Sequence, residues 1–574
     1  MTQKLSPAAD EHAAGQLAIA QTAAAPPMIL APFAGEQLDY GGFRATMDRD
    51  SDGRAQVRVE RLQDIGRTGE VEVVGPPVLA AKVELSVGSH RYQQYVAYLD
   101  RGGGPGELWR LPVAWHRAEQ RWIHLNGAFV EPEGAWGSLK AYERHLSRWN
   151  DNCIFCHNTE AVPGLAGPSE QFESEVGELG IACEACHGPA DAHLARHRGN
   201  PIRRLLAGRG PDRSITNPAR LDPSEASAIC GRCHGQRIAR DIAAVMREGD
   251  GFVPGDVLAE VSRPIFADTT IAGVPGLDRG QPFAARFWPD GTPRLSAYEY
   301  QGLLLSPCYA DGEAGGLGCG HCHAMHGDQP DGQVRAGRTG QGACIDCHAV
   351  AELGNADSPG GHGGHVGLAA VDCLDCHMPR TTYGLLEGMI SHRITSPDPG
   401  ALLGRADQPD ACTQCHVDRS RAWAAGSMAR LGLRGTSPTN HAVPVAEQRA
   451  SRVVLDLLGG DPIQRNLAAH ALAQPGATGP VSDRLAWLAP GLEDAYPSVR
   501  WFAWRGMRAL AERTDDHALL AALAEFDYIG PIDERVAAAV RIQEQVGPPP
   551  LIDYPDLRER LFTQRESRAI WIGE

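Results

Sequence analysis

The sequence predicts a multidomain chain in three parts: an N-terminal β-rich domain, a central irregular and α region dense in Cys and His, and a C-terminal α-solenoid. Three observations carry this. Segments rich in β-branched and aromatic residues fill residues 39–139, repeated Cys/His units fall within residues 140–430, and prolines at a steady interval open helical segments in residues 440–546. The length of 574 residues suits several domains, and a hydrophobic content of 43% suffices for a sizeable core. The net charge of −17 argues against a nucleic-acid partner, because phosphate binding needs a basic surface. No apolar run reaches the roughly 18 residues of a membrane span, so none is expected.

Residues 1–38 are rich in Ala, Pro and Gln and are expected to form a flexible N-terminal segment. Leu17–Ala25 is mildly apolar but broken by Gln21, and no basic stretch leads into it, so no clear signal peptide is legible.

Residues 39–139 form the β-rich domain. Gln56–Glu60, Tyr92–Leu99, Leu108–Trp115 and Trp122–Leu125 read as strands, separated by Gly, Pro and Asp. Asp48, Asp50, Asp52 and Gly53 imitate the opening of a calcium loop. Val59 stands where that loop needs its bidentate acid, so an Asp-Gly hairpin turn is the expectation. His90, His116 and His124 read as surface or core residues.

Residues 140–430 decide the class. Of 15 cysteines, 14 fall into seven Cys-x-x-Cys-His units. These are Cys153/Cys156/His157, Cys183/Cys186/His187, Cys230/Cys233/His234, Cys319/Cys322/His323, Cys344/Cys347/His348, Cys373/Cys376/His377 and Cys412/Cys415/His416. The pattern reads as covalent attachment of c-type haem. Cysteines three positions apart lie about one helical turn apart, so both thiols reach the vinyl groups of one porphyrin, and the next histidine is the proximal iron ligand. Zinc would take the pairs two at a time, and seven is odd. A redox Cys-x-x-Cys occurs once near a βαβ pattern, and disulfide scaffolds belong to short secreted chains. The expectation is therefore seven covalent haems c in a haem-packed irregular and α domain, close enough together to move electrons.

The sixth iron ligand separates carriers from catalysts: a second histidine closes the iron, and an empty position admits substrate. Of 22 histidines, 15 are not proximal. Those within the central region are His145, His193, His197, His321, His326, His362, His365 and His392. His321 lies inside a motif and is strained for reaching another iron. Seven candidates remain for seven irons, each with an alternative as partner of a propionate or a carbonyl. Cys308, the unpaired cysteine, reads as a buried structural residue, with an axial thiolate or reactive thiol as the alternative. The three lysines, Lys4, Lys82 and Lys140, lie outside the haem region proper, and no motif is Cys-x-x-Cys-Lys, which counts against a nitrite reductase with a lysine-ligated haem. Arg232, Arg237 and Arg240 are placed to pair with propionates or to form a solvated face.

Residues 440–546 turn helical. Pro462, Pro497 and Pro531 lie 35 and 34 residues apart, and each precedes an Ala/Leu/Val-rich segment carrying Arg465, Arg500 or Arg535. The Asp494–Arg500 segment resembles HEAT repeats. Trp501, Phe502 and Trp504 are then repeat core. Residues 547–574, opening with Pro548–Pro550, form a C-terminal tail.

The order of features resembles a family of exported multihaem cytochromes related to the tetrahaem electron acceptor of hydroxylamine oxidoreductase, whose members commonly end in tetratricopeptide or HEAT repeats. The resemblance runs through Gly88-Ser89 with Arg91–Tyr95, Leu111–Trp115, Trp122–Leu125, Trp149-Asn150, Ala182–Pro189 with His193, Cys319–His326, Cys373–Pro379, His392 before Pro397, and Ala411–His416. It implies electron transfer, at times alongside nitrogen- or sulfur-compound metabolism, and it favours His193, His326 and His392 as ligands. It names no substrate. Haem attachment occurs outside the cytoplasm, so a periplasmic or extracellular location is expected. The leading expectation is an electron carrier with mostly bis-histidine haems and redox partner proteins docking on the helical repeats, with a homo-oligomer left open. The alternatives are a multihaem oxidoreductase acting on a small nitrogen or sulfur compound at one five-coordinate haem, and an assembly scaffold with auxiliary haems.

Overall fold

The computed structural model describes residues 2–4, 29–64, 71–88, 90–102, 107–167, 171–198, 212–310, 316–326, 332–348, 362–365, 371–405, 407–433, 445–550, 555–565 and 567–572. Leu17–Ala25 and Ser89 lie outside the described residues.

Two antiparallel sheets build the N-terminal part. Strands β1 (Thr2–Lys4), β2 (Glu36–Tyr40), β3 (Phe43–Arg49), β4 (Ala55–Asp64), β5 (Val71–Lys82), β6 (Leu85–Val87), β7 (Tyr92–Tyr98), β8 (Leu108–His116) and β9 (Arg121–His124) follow in order. One sheet runs β2-β3-β4-β5 and the other β1-β6-β7-β8-β9. In β3, Phe43, Ala45 and Met47 alternate inward, the period-2 pattern of a half-buried strand. The β3–β4 connection is an Asp-Gly turn: Asp50 Oδ1 accepts from the amides of Asp52 and Arg54, each at 2.9 Å, and Lys82 Nζ lies 2.7 Å from Asp50 Oδ2. Two features depart from expectation. The domain begins at Glu36 rather than residue 39, and Thr2–Lys4, expected in a flexible lead-in, pairs with Leu85–Val87. A three-residue polar strand on a sheet edge leaves no hydrophobic period to read.

The central region uses short helices. They include α1 (Ile154–His157), α2 (Glu184–His187), α3 (Asp191–His197), α4 (Pro223–Gly231), α5 (Glu299–Leu304), α6 (Cys319–Cys322), α7 (Cys373–His377), α8 (Ala411–Cys415) and α9 (Arg421–Arg430). Trp149 and Asn150 fasten α1 to the β-domain. The Trp149 amide donates to Leu108 O (2.7 Å), and Asn150 Oδ1 accepts from the Leu108 amide (2.8 Å).

The C-terminal part packs helices that include α10 (Pro462–Ala473), α11 (Pro497–Arg513) and α12 (Ile532–Val546). Pro462 and Pro497 stand in the first turn, where a missing N–H costs nothing, while Pro531 is the cap before α12. The arginine near the start of each helix is buried and donates backward. Arg465 donates to Gly460 O (2.7 Å), Arg500 to Asp494 O (2.7 Å) and Arg535 to Gly530 O (2.7 Å). Each satisfies a carbonyl ahead of its helix, which gives the interval seen in sequence a structural cause. Trp501, Phe502 and Trp504 are core residues, and Trp501 packs on His116 and Tyr528 with ring centroids 5.5 and 5.0 Å away. One hydrophobic core thus joins both sheets to these helices. No helix among the described residues is long and apolar enough to cross a membrane.

Candidate haem-binding centres

Each Cys-x-x-Cys-His unit is one helical turn. The histidine amide donates to the first cysteine's carbonyl in six units: His157 (3.1 Å), His187 (2.9 Å), His234 (2.8 Å), His323 (2.9 Å), His348 (2.9 Å) and His416 (2.9 Å). The remaining unit is α7 itself. Side-chain caps open the turns of the last two units: Asp372 accepts from the Leu374 amide and Asp410 from the Thr413 amide. Asp410 is in turn held 3.1 Å from the fully buried Arg421, whose guanidinium also donates to Leu402 O.

Three proximal imidazoles are oriented by their Nδ1 atoms. His187 bonds Thr216 O (2.7 Å), His323 bonds Gly332 O (2.7 Å) and His377 bonds Thr395 O (3.0 Å). This selects the tautomer with Nε2 unprotonated, the form that binds metal. His234 Nδ1 lies 3.7 Å from Glu299 of α5, which raises its basicity. Burial pulls the His157 imidazole down to about 4, and it also lowers His377, His392 and His416. All four are thereby kept in the neutral state a metal requires.

Four proximal histidines face a second histidine from elsewhere in the chain. Ring centroids are 6.0 Å apart for His187–His326, 6.4 Å for His323–His392, 6.1 Å for His377–His362 and 6.0 Å for His416–His365. The rings are nearly parallel, inclined by 22–28°. This is wider than face contact, which brings His145 and Phe129 to 3.8 Å. Two metal–nitrogen bonds of about 2.0 Å plus about 1.1 Å from each nitrogen to its ring centre give about 6.2 Å. The gap therefore fits one iron, and the residues fit a bis-histidine haem.

The thiols of different units also meet. The Cys156 thiol lies beside that of Cys233, the Cys230 thiol beside that of Cys319, and the Cys344 thiol beside that of Cys373. Cys186 lies within electrostatic reach of Cys233, Cys322 of Cys347, and Cys376 of Cys415. The neighbouring Cys156 thiol lowers Cys233, and the neighbouring Cys230 thiol lowers Cys319. The contacts place the first and second units beside the third, and the third to seventh in sequence.

The other expected ligands are placed differently. His193 Nδ1 and His197 Nε2 both bond Asp212 Oδ2, at 2.9 and 2.6 Å. Ser214 first, and then His197, hold that carboxyl below its usual range. The three groups lie within 4.8 Å of one another, the reach of a metal site, but Arg196 Nη1 stands 3.3 Å from the same carboxylate and opposes a dication. His145 lies in the β-domain core on Phe129, with Nε2 3.8 Å from Glu131. Among the described residues no imidazole faces His157, His234 or His348 as in the four pairs. His321 Nδ1 accepts from the Gly318 amide (2.9 Å) within its own turn. Cys308 is half-buried, near Ser306, whose hydroxyl donates to His392 O (3.2 Å). Arg232 and Arg237 both donate to Asp250, at 2.8–2.9 Å. Burial pushes that carboxyl up, but the two guanidiniums hold it below the ordinary range. Arg240 donates to Ala259 O (2.9 Å). Glu299 and Asp212 were not legible as site residues, since neither has a spacing relation to a motif.

A scan of protein-family models and searches of curated proteins and solved structures found no match.

Proposed function

We propose that this chain is a heptahaem c-type cytochrome that passes electrons to or from redox partner proteins. The observation that carries the reading is the set of four imidazole pairs, each joining a motif histidine to a distant one across a gap that fits one iron. When bound, haem iron supplies reversible one-electron chemistry. The chain's residues hold it: fourteen cysteines form the thioether bonds, and His157, His187, His234, His323, His348, His377 and His416 are proximal ligands. His326, His392, His362 and His365 close the second, fourth, sixth and seventh sites. An iron closed on both faces exchanges electrons without binding substrate. The thiol contacts support a continuous series of attachment points.

His193 is the further ligand of choice over His197. Its Nδ1 is bonded to a carboxylate, which leaves Nε2 for metal, whereas His197 uses Nε2 on that carboxylate. Thioether attachment outside the cytoplasm places the working protein in the periplasm or beyond. The arrangement and the exported-cytochrome resemblance support the same reading.

A second reading rests on His145. Its place on Phe129, with His197 turned to Asp212, leaves five distal candidates for seven irons, so irons without a second histidine remain and one of them acts on a small nitrogen or sulfur compound. Carbon monoxide titration of the reduced, matured protein tests both. Uptake by none of the irons fits the carrier, uptake by one to three fits the oxidoreductase, and uptake by four or more refutes the imidazole pairs.

A further inference from the structure

The two histidines that face His377 and His416 come from a single turn. His362 and His365 form an antiparallel bridge, with the His365 amide 3.4 Å from His362 O. Between them, Gly363 has φ +68° and Gly364 φ +87°. Two central residues at positive φ make a type I′ turn, the tightest link between antiparallel strands, and only residues without a Cβ take both positions without strain. A Cβ on Gly364 would also stand 2.6 Å from Leu431 Cδ1, just beyond α9.

The opposite walls of the same two sites are joined as well. Helices α7 and α8, which carry the sixth and seventh units, pack against each other, so the two units are neighbours on this side as well as through their distal histidines. Two residues separate the two distal histidines, and the turn fixes the relative direction in which their side chains leave the backbone.

We infer that His362-Gly363-Gly364-His365 is a two-headed clamp that sets the sixth ligand of two irons at once, with Gly363 and Gly364 as positioning residues. This rests on the haem reading above. The turn makes ligation at the two sites interdependent: a change in its backbone is felt at both irons, although neither histidine is altered.

The test uses the matured full-length protein, with haem content measured by intact mass and iron spin states by paramagnetic resonance. His362→Ala and His365→Ala each serve as a one-site reference and are expected to convert one low-spin iron to high-spin. The double variant Gly363→Ala/Gly364→Ala keeps both imidazoles and is expected to convert two irons together while all seven haems remain attached. Lengthening the turn by one glycine gives the same two-iron loss if the spacing is what matters. Seven attached haems with every low-spin signal retained in the double variant would overturn the clamp, as would loss at only one site. Loss of haem from the unsubstituted protein would instead count against the functional reading itself.

Discussion

Glu133 holds the β-domain to the C-terminal helices, and its replacement has a calculable cost. Glu133 Oε2 accepts from Arg535 Nη2 at 2.8 Å and from Arg500 Nη2 at 3.3 Å, and its amide donates to Ala495 O at 2.9 Å. The guanidinium-bearing side chains are 1% exposed at Arg500 and 6% at Arg535, whereas that of Glu133 is 26% exposed. Glu133→Gln keeps the shape but leaves two buried cations facing each other. Burial already pulls Arg500 down to about 10, and Arg535 adds to that. Breaking a buried pair costs about 3–5 kcal/mol. Both arginines keep backbone acceptors and Glu133 is partly solvated, which reduces the expected loss to about 2 kcal/mol. For a large cooperative unit this lowers Tm by roughly 4–8 °C. Far-ultraviolet circular dichroism of the matured protein reads it directly. A shift within about 1 °C of zero would show that the sheets and the C-terminal helices do not share one cooperative core.

Other outcomes follow from the same geometry. His392→Ala should open one iron, giving a high-spin signal and one carbon monoxide bound per chain. Gly302→Ala should weaken the same site without removing the imidazole, because a Cβ there would stand 2.8 Å from the His392 carbonyl carbon. His193→Ala is expected to convert one low-spin iron while His197→Ala converts none; equal spin counts in the two variants would remove His193 from the ligand set. Burial, then Arg505 and Arg121, hold His116 at about 4, so the unfolded chain takes up its proton first. Stability should fall as pH drops from about 6.5 towards 4, with a His116 contribution of about 2 kcal/mol at pH 5. His116→Phe should flatten that limb in urea titrations; an unchanged acid limb would contradict the assignment.

The parts of the fold visible in the sequence are those with a short period. Strands β7 and β8 show as runs of aromatic and β-branched residues, and α10 and α11 show through Pro462 and Pro497. Strand β5 does not, because Gly75, Pro76 and Pro77 interrupt it, and its pairing with β4 shifts register between Val59 and Arg61. The buried arginines were illegible as core, since Arg421, Arg465 and Arg500 resemble surface residues until their acceptors are in place. At the candidate centres, the attachment units are local and therefore readable. The pairing of distal histidines is not: His326 follows the fourth motif but faces the second motif's histidine, and His392 follows the sixth but faces the fourth's. Those choices depend on how distant turns pack. For His145 the chain count pointed to an iron, while an aromatic neighbour, Phe129, claims the ring.

Intact mass spectrometry of the matured, denatured protein, joined to iron analysis, bears most directly on whether the facing imidazoles and paired thiols hold haem. A polypeptide carrying seven covalent haems and seven irons is the predicted result. A bare chain, or zinc in place of iron, would contradict it.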